Sequence, residues 1–203
     1  MKKMLLCFAL LASSISGYAA DVCTEEGFTF DVRQRDYLLS TVFEFNGKEQ
    51  FLGSIVKEPF HLRTQYDLYS ETGVFQGMGI CRILTLGAIY AWGTEIDVYD
   101  ERGGKVGVID GQAVTGAAAK FSIYDAKGAH VGIAYLDLNA GAFTLVDPAN
   151  EKRPLASYRR NFVKDIVDHW DVKVYDACAI DLRLIKIFAG FAIDTQEHFK
   201  KDN

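Results

Sequence analysis

The chain has 203 residues, 49% hydrophobic and 24% charged, with a formal net charge of −5. That length fits one domain. The apolar share excludes a disordered chain, and 3 Pro with no tripeptide period exclude a collagen-like one. With 18 Gly, 14 Phe and 10 Tyr, the composition favours many turns and half-buried aromatic positions, which is an all-β pattern.

Residues 1–20 are read as a secretory signal peptide. Lys2 and Lys3 precede an apolar run from Met4 to Ala12, small residues follow, and no acid occurs before Asp21. Cleavage is expected after Ala19 or Ala20, giving a periplasmic or secreted protein. A membrane anchor needs about 18 uninterrupted apolar residues, and Ser13, Ser14 and Ser16 break this run. No transmembrane span is expected after cleavage. Removing two Lys and no acid takes the net charge from −5 to −7. An acidic chain is a poor nucleic-acid binder, because phosphate contacts supply most of that affinity. Cys23, Cys81 and Cys178 then remain, with no zinc or thioredoxin-like spacing. One disulfide with one free thiol, or three buried thiols, are both compatible with the sequence.

The rest, residues 21–203, reads as one domain built on a recurring hairpin phrase. Tyr66-Asp67-Leu68-Tyr69-Ser70-Glu71-Thr72-Gly73, Ile96-Asp97-Val98-Tyr99-Asp100-Glu101-Arg102-Gly103 and Phe121-Ser122-Ile123-Tyr124-Asp125-Ala126-Lys127-Gly128 are each followed by a returning strand. Weaker copies are Phe43–Gly47 and Phe143–Asp147. In each, Asp or Ser supports the turn through its side chain and Gly supplies a positive φ. The spacing is irregular, which predicts a meander and not a solenoid. Alternation predicts about twelve strands, near 28–32, 38–45, 50–56, 61–69, 74–84, 88–99, 105–109, 118–124, 130–136, 142–146, 154–160 and 171–175. From Asp176, read as the N-cap, the chain to Asp194 is apolar on nearly every side and predicts a helix enclosed by protein. Asp181, Arg183 and Lys186 make it too costly as a membrane span.

These hairpin phrases, with Asp171-Val172-Lys173-Val174-Tyr175-Asp176 and the helix ending Phe191-Ala192-Ile193-Asp194, resemble the LURP-one-related family. That family belongs with the tubby C-terminal domain and the phospholipid scramblases, and the resemblance spans roughly residues 28–199. It implies a mainly β fold, a twelve-stranded barrel enclosing a C-terminal hydrophobic helix. A barrel of that girth leaves a lumen that such a helix can plug. The chain departs from the family in its export signal, and in lacking the scramblase calcium segment and cysteine-rich stretch. The resemblance therefore implies a scaffold and no defined chemistry.

The residues themselves point to no catalyst. His61, His130, His169 and His198 have no metal-ligand spacing. No nucleophile elbow, dinucleotide loop or phosphate loop occurs, so neither an enzyme nor a cofactor is expected. The pair Asp97 and Asp100 reads as turn chemistry. The group Asp165, Asp168, His169 and Asp171 reads as a solvated loop before the last strand. The best binding candidate is basic: Arg153, Arg159, Arg160 and Lys164, in a segment with five basic residues against two acids. An anionic lipid or small ligand is the partner expected there. Strand alternation puts Arg159 and Arg160 on opposite faces. The alternative is a structural or protein-interaction scaffold of the cell envelope.

Overall fold

The computed structural model describes residues 27–58, 61–83, 93–115, 118–137, 141–161 and 169–201. The predicted signal peptide and Lys164 lie outside them. Twelve strands occur in chain order: β1 (Phe28–Tyr37), β2 (Ser40–Asn46), β3 (Phe51–Lys57), β4 (Gln65–Tyr69), β5 (Phe75–Cys81) and β6 (Glu95–Asp100). Then come β7 (Lys105–Thr115), β8 (Ala118–Asp125), β9 (His130–Asp137), β10 (Ala142–Asp147), β11 (Asn150–Asn161) and β12 (His169–Val174). Among the described residues a single α-helix, α1 (Leu182–Lys201), follows.

Every strand pairs antiparallel with its sequence neighbours, and β1 pairs with β12 to close the barrel. Closure removes the unpaired edges that an open sheet would expose. All twelve predicted strands are present, with shifted ends. Strand β1 runs on to Tyr37, and β4 begins at Gln65 where residues 61–64 form bends and coil.

Three hairpin phrases fold into one turn, as their residues require. Asp100 Oδ1 accepts from the Arg102 and Gly104 amides at 2.9 and 2.6 Å, and Asp125 Oδ1 from Lys127 and Ala129 at 2.8 Å each. Ser70 Oγ accepts from Thr72 and Val74 at 3.3 and 3.0 Å. Gly73, Gly103 and Gly128 close these turns at φ 76°, 79° and 81°, a region that costs glycine nothing. These turns share one end of the barrel with the β2–β3 and β10–β11 connections and the entry of α1. We call it the turn end. The β1–β2, β3–β4 and β5–β6 connections belong to the opposite, loop end.

Alternation sends one face of each strand inward, where Val32, Phe43, Phe45, Ile55, Leu68, Ile96, Val98 and Phe121 are fully buried. Helix α1 fills the lumen, and Leu184, Ile185, Ile187, Phe188 and Ala189 are at most 1% exposed. Phe188 meets the rings of Phe121, Phe143 and Tyr158 edge-on, with centroids 5.3, 5.5 and 5.7 Å away, the preferred aromatic geometry. Close approach of the wall to the helix and to the segment leading into it depends on small residues. A Cβ at Gly79 would lie 2.6 Å from Ile187 Cγ2, and one at Gly132 would lie 2.8 Å from Ile180 Cδ1.

The helix start differs from expectation. Asp181, not Asp176, is the N-cap: its carboxylate accepts from the Arg183 amide at 2.9 Å and its carbonyl from Leu184 at 3.0 Å. Asp176 instead caps a separate turn, accepting from the amides of Cys178 and Ala179 at 3.0 and 3.1 Å. The physical reason is the path of the chain. Residues 177–180 carry it from the rim of β12 to the barrel axis before helical geometry begins.

The charges of Arg183 and Lys186 at the start of the helix are each answered. Arg183 bonds Asp181 at 2.8 Å. Lys186 reaches out of the lumen to donate to the Leu52 carbonyl at 3.0 Å and lies over the Phe45 ring. Among the described residues, no helix is long and apolar enough to cross a membrane.

Candidate functional site

Helix α1 occupies the lumen, and a concavity lies on the outer wall. A groove of about 590 Å³ runs across β1, β12, β11 and β10 to the β2–β3 turn. Its outward side chains come from rows fixed by register. Thr29 pairs with Lys173, which pairs with Ser157, which leads to Thr144. In the next row Asp31 pairs with Asp171, which pairs with Arg159. Lys48 adds a third cation from the β2–β3 turn.

The groove thus holds Lys48, Arg159 and Lys173 against the carboxylates of Asp31 and Asp171. Asp31 is engaged by Arg33 Nε at 2.9 Å and by the Asn46 amide at 3.4 Å. Lys173 Nζ lies 4.6 Å from the centre of the Tyr175 ring, whose hydroxyl is 3.4 Å from Ser157 Oγ. Cations, hydroxyls and an aromatic face converge on one shallow surface, the kind of donor set that holds an anionic group.

The four basic residues picked out in the sequence do not meet in one patch. Arg159 is exposed in the groove. Arg160 is half-buried and stands opposite Trp170, a residue of the inner face. Arg153 lies near the β10–β11 irregularity, where its guanidinium bonds Asp147 at 3.2 Å and also Asp176. Lys164 lies outside the described residues. Lys48 and Lys173 are not among those four: the β11–β12 register sets Lys173 beside Arg159, and closure by β1–β12 pairing brings Lys48 to them.

The carboxylate pair of β6 also divides. Asp100 is the turn residue described above. Asp97 is a strand residue held by Arg82 at 2.7 and 2.8 Å and by Lys105 at 3.1 Å, and the Arg82 bonds hold its carboxyl below the usual range. Of the predicted loop cluster, Asp171 lines the groove, while Asp165 and Asp168 lie outside the described residues.

A second polar cluster, invisible in the sequence, sits inside the barrel towards the loop end. Lys57 of β3 donates to both carboxylate oxygens of Asp194 at 2.8 and 2.7 Å, and the Tyr66 hydroxyl donates to Oδ2 at 2.8 Å. Burial pushes the Tyr66 phenol well above its ordinary value, with the Asp194 charge adding to it. Burial likewise pushes the free Cys81 thiol up to about 12, the Asp194 charge again adding and Lys57 opposing. A thiol so protonated is a poor nucleophile. Cys178 is disulfide-bonded. Among the described residues, no group of three or more His, Cys, Asp or Glu side chains is arranged to hold a metal ion.

These features define a class of structure, a closed twelve-strand antiparallel barrel threaded by its C-terminal helix. No protein-family model matches the chain, and no curated protein matches it.

Proposed function

We propose that this chain is an exported, non-enzymatic barrel protein of LURP-one-related type that binds an anionic group on its outer wall. The observation that carries this reading is the convergence of Lys48, Arg159 and Lys173 on one groove beside the hydroxyls of Thr29, Thr144 and Ser157. The filled lumen supports it further, because an interior ligand would have to displace the helix core. The export part rests on residues 1–20, and a disulfide at Cys178 suits an oxidising compartment. The anion is either a lipid head group or a free small molecule.

The mature chain's net charge of −7 opposes a negative surface at long range. Screening over about 8 Å at physiological salt leaves short-range groove contacts effective. Each basic side chain near an anionic surface is worth roughly 1 kcal/mol, so removing Arg159 and Lys173 is expected to weaken binding about 30-fold. The test pairs flotation on phosphatidylserine and phosphatidylcholine vesicles at low salt with calorimetric titration of inorganic phosphate. A preference for phosphatidylserine lost in R159S/K173S supports a head group, and phosphate binding lost in the same variant supports a free anion. Absence of both in the wild type rejects the reading in favour of an envelope scaffold.

A further inference from the structure

The outer groove carries a feature that a simple anion leaves unexplained. Three cations, Lys48, Arg159 and Lys173, line it against two carboxylates, Asp31 and Asp171, a net charge of only +1. Register sets the acids in the middle of the site, with Asp31 across from Asp171 and Asp171 across from Arg159. A site for a bare phosphate has no use for them, since like charges side by side cost binding energy. Nor do these acids neutralise the groove's cations. Among the described residues, Lys48, Arg159 and Lys173 form no ion pair, although Arg159 directly faces Asp171. Elsewhere on the surface Arg33, Arg35, Arg82, Lys105 and Arg153 each hold a carboxylate.

The groove is also long for a single small ion. The row Thr29, Lys173, Ser157 and Thr144 crosses four strands, which is about 14 Å at roughly 4.8 Å per strand spacing. Its volume of about 590 Å³ is that of a site for a whole small molecule, about 300–1,000 Å³. The cations are spread along it and stand on three different elements. Arg159 is on β11, Lys173 stands diagonally from it on β12, and Lys48 lies beyond β1 on the β2–β3 turn.

We propose that the groove takes an acidic oligosaccharide, a short chain of sugar rings bearing carboxylates; this rests on the reading of the groove as an anion site. Each lining group then has a partner. Carboxylates borne on successive rings meet Arg159, Lys173 and Lys48 separately, in charge-assisted hydrogen bonds. Sugar hydroxyls donate to the carboxylates of Asp31 and Asp171. They also exchange hydrogen bonds with Thr29, Thr144 and Ser157, whose hydroxyls both donate and accept. A phosphate or a single head group concentrates its charge at one point and leaves the two acids unexplained. A nucleic acid spaces its charges, but its phosphates bring no donors to those acids.

Calorimetric titration of the mature chain with trigalacturonate, galacturonate, neutral maltotriose and inorganic phosphate tests this. The wild type is expected to bind trigalacturonate at least tenfold more tightly than any of the other three, and R159S/K173S to lose that binding. The distinguishing variant is D171N, at an exposed position of β12, with its melting temperature checked against the wild type. It should bind trigalacturonate about fivefold more weakly, because a neutral acceptor replaces a charged one. It should bind phosphate as tightly as the wild type or more tightly, because a like charge is gone. Maltotriose binding as tightly as trigalacturonate, a D171N variant that binds both anions more tightly, or preference for a trithymidylate overturns the proposal. Binding of phosphate or phosphatidylserine without binding of trigalacturonate overturns it and leaves the anion-site reading standing. Absence of all binding overturns both.

Discussion

Lys57 Nζ and the Asp194 carboxylate, 137 residues apart in the chain, meet at 2.8 and 2.7 Å and tie the barrel wall to the last turns of the buried helix. The side chains are 23% and 10% exposed, so each charge relies on the other more than on water. Removing one partner leaves a poorly solvated charge and is expected to cost about 3 kcal/mol. K57M and D194N should each lower stability by that order in urea denaturation. The double variant K57M/D194N should recover at least half, since the side-chain amide that replaces the carboxylate still accepts from Tyr66. Strict additivity of the two losses would show that the pair is not coupled.

Truncation after Asp176 removes core and not a tail. Ile180, Leu184, Ile187, Phe188 and Phe191 are all at most 3% exposed. At about 1.5–3 kcal/mol each, their burial is comparable with the whole stability of a typical domain. Residues 21–176 should show no cooperative calorimetric transition. A transition within a few degrees of the full chain's would mean that the barrel supports itself.

Gly79→Ala puts a methyl 2.6 Å from Ile187 Cγ2 and 3.1 Å from Ile96 Cγ2. Overpacking of this kind costs about 1–3 kcal/mol. Because the closest clash is with one side chain of the helix, I187A should relieve it. The double variant G79A/I187A is then expected to be more stable than the sum of the single losses allows, measured by the shift in denaturant midpoint.

Alkaline pH should weaken the fold before it modifies Cys81. The thiol titrates at about 12 when folded and at roughly 8.5 when unfolded. Below that lower value both states are protonated and the group is neutral for stability. Above it the unfolded chain releases a proton that the native chain retains, so stability falls towards pH 12 by about 1.4 kcal/mol per unit. Buried Tyr66 and Tyr158, both with raised values, act in the same direction at higher pH. Unfolding at pH 8 and pH 10 should show the loss, and C81A should reduce it. At pH 8 a thiol-reactive dye should label the denatured chain much faster than the native one.

N-terminal sequencing of exported material should begin at Ala20 or Asp21. Intact Met1 in the soluble exported fraction would reject the signal-peptide reading.

Features that depend on near neighbours were legible in the sequence. The Ser70, Asp100 and Asp125 turns involve at most five consecutive residues, and both the turn-supporting side chain and the glycine are visible in each phrase. Strand alternation and the all-round apolar helix are likewise local patterns, so the number of strands and the enclosure of α1 could be read from them. Features that depend on closure could not. Asp176 opens the apolar run and so reads as its cap, and only the path of residues 177–180 into the barrel moves the cap to Asp181. Arg159 and Lys173 meet through the β11–β12 register, and Lys48 joins them only when β1 pairs with β12. Lys57 and Asp194 have no neighbourhood in sequence at all. Turn geometry and side-chain alternation are set by steric and hydrogen-bonding rules acting over a few residues. A groove or a buried ion pair is set by register across a closed sheet, which no short segment encodes.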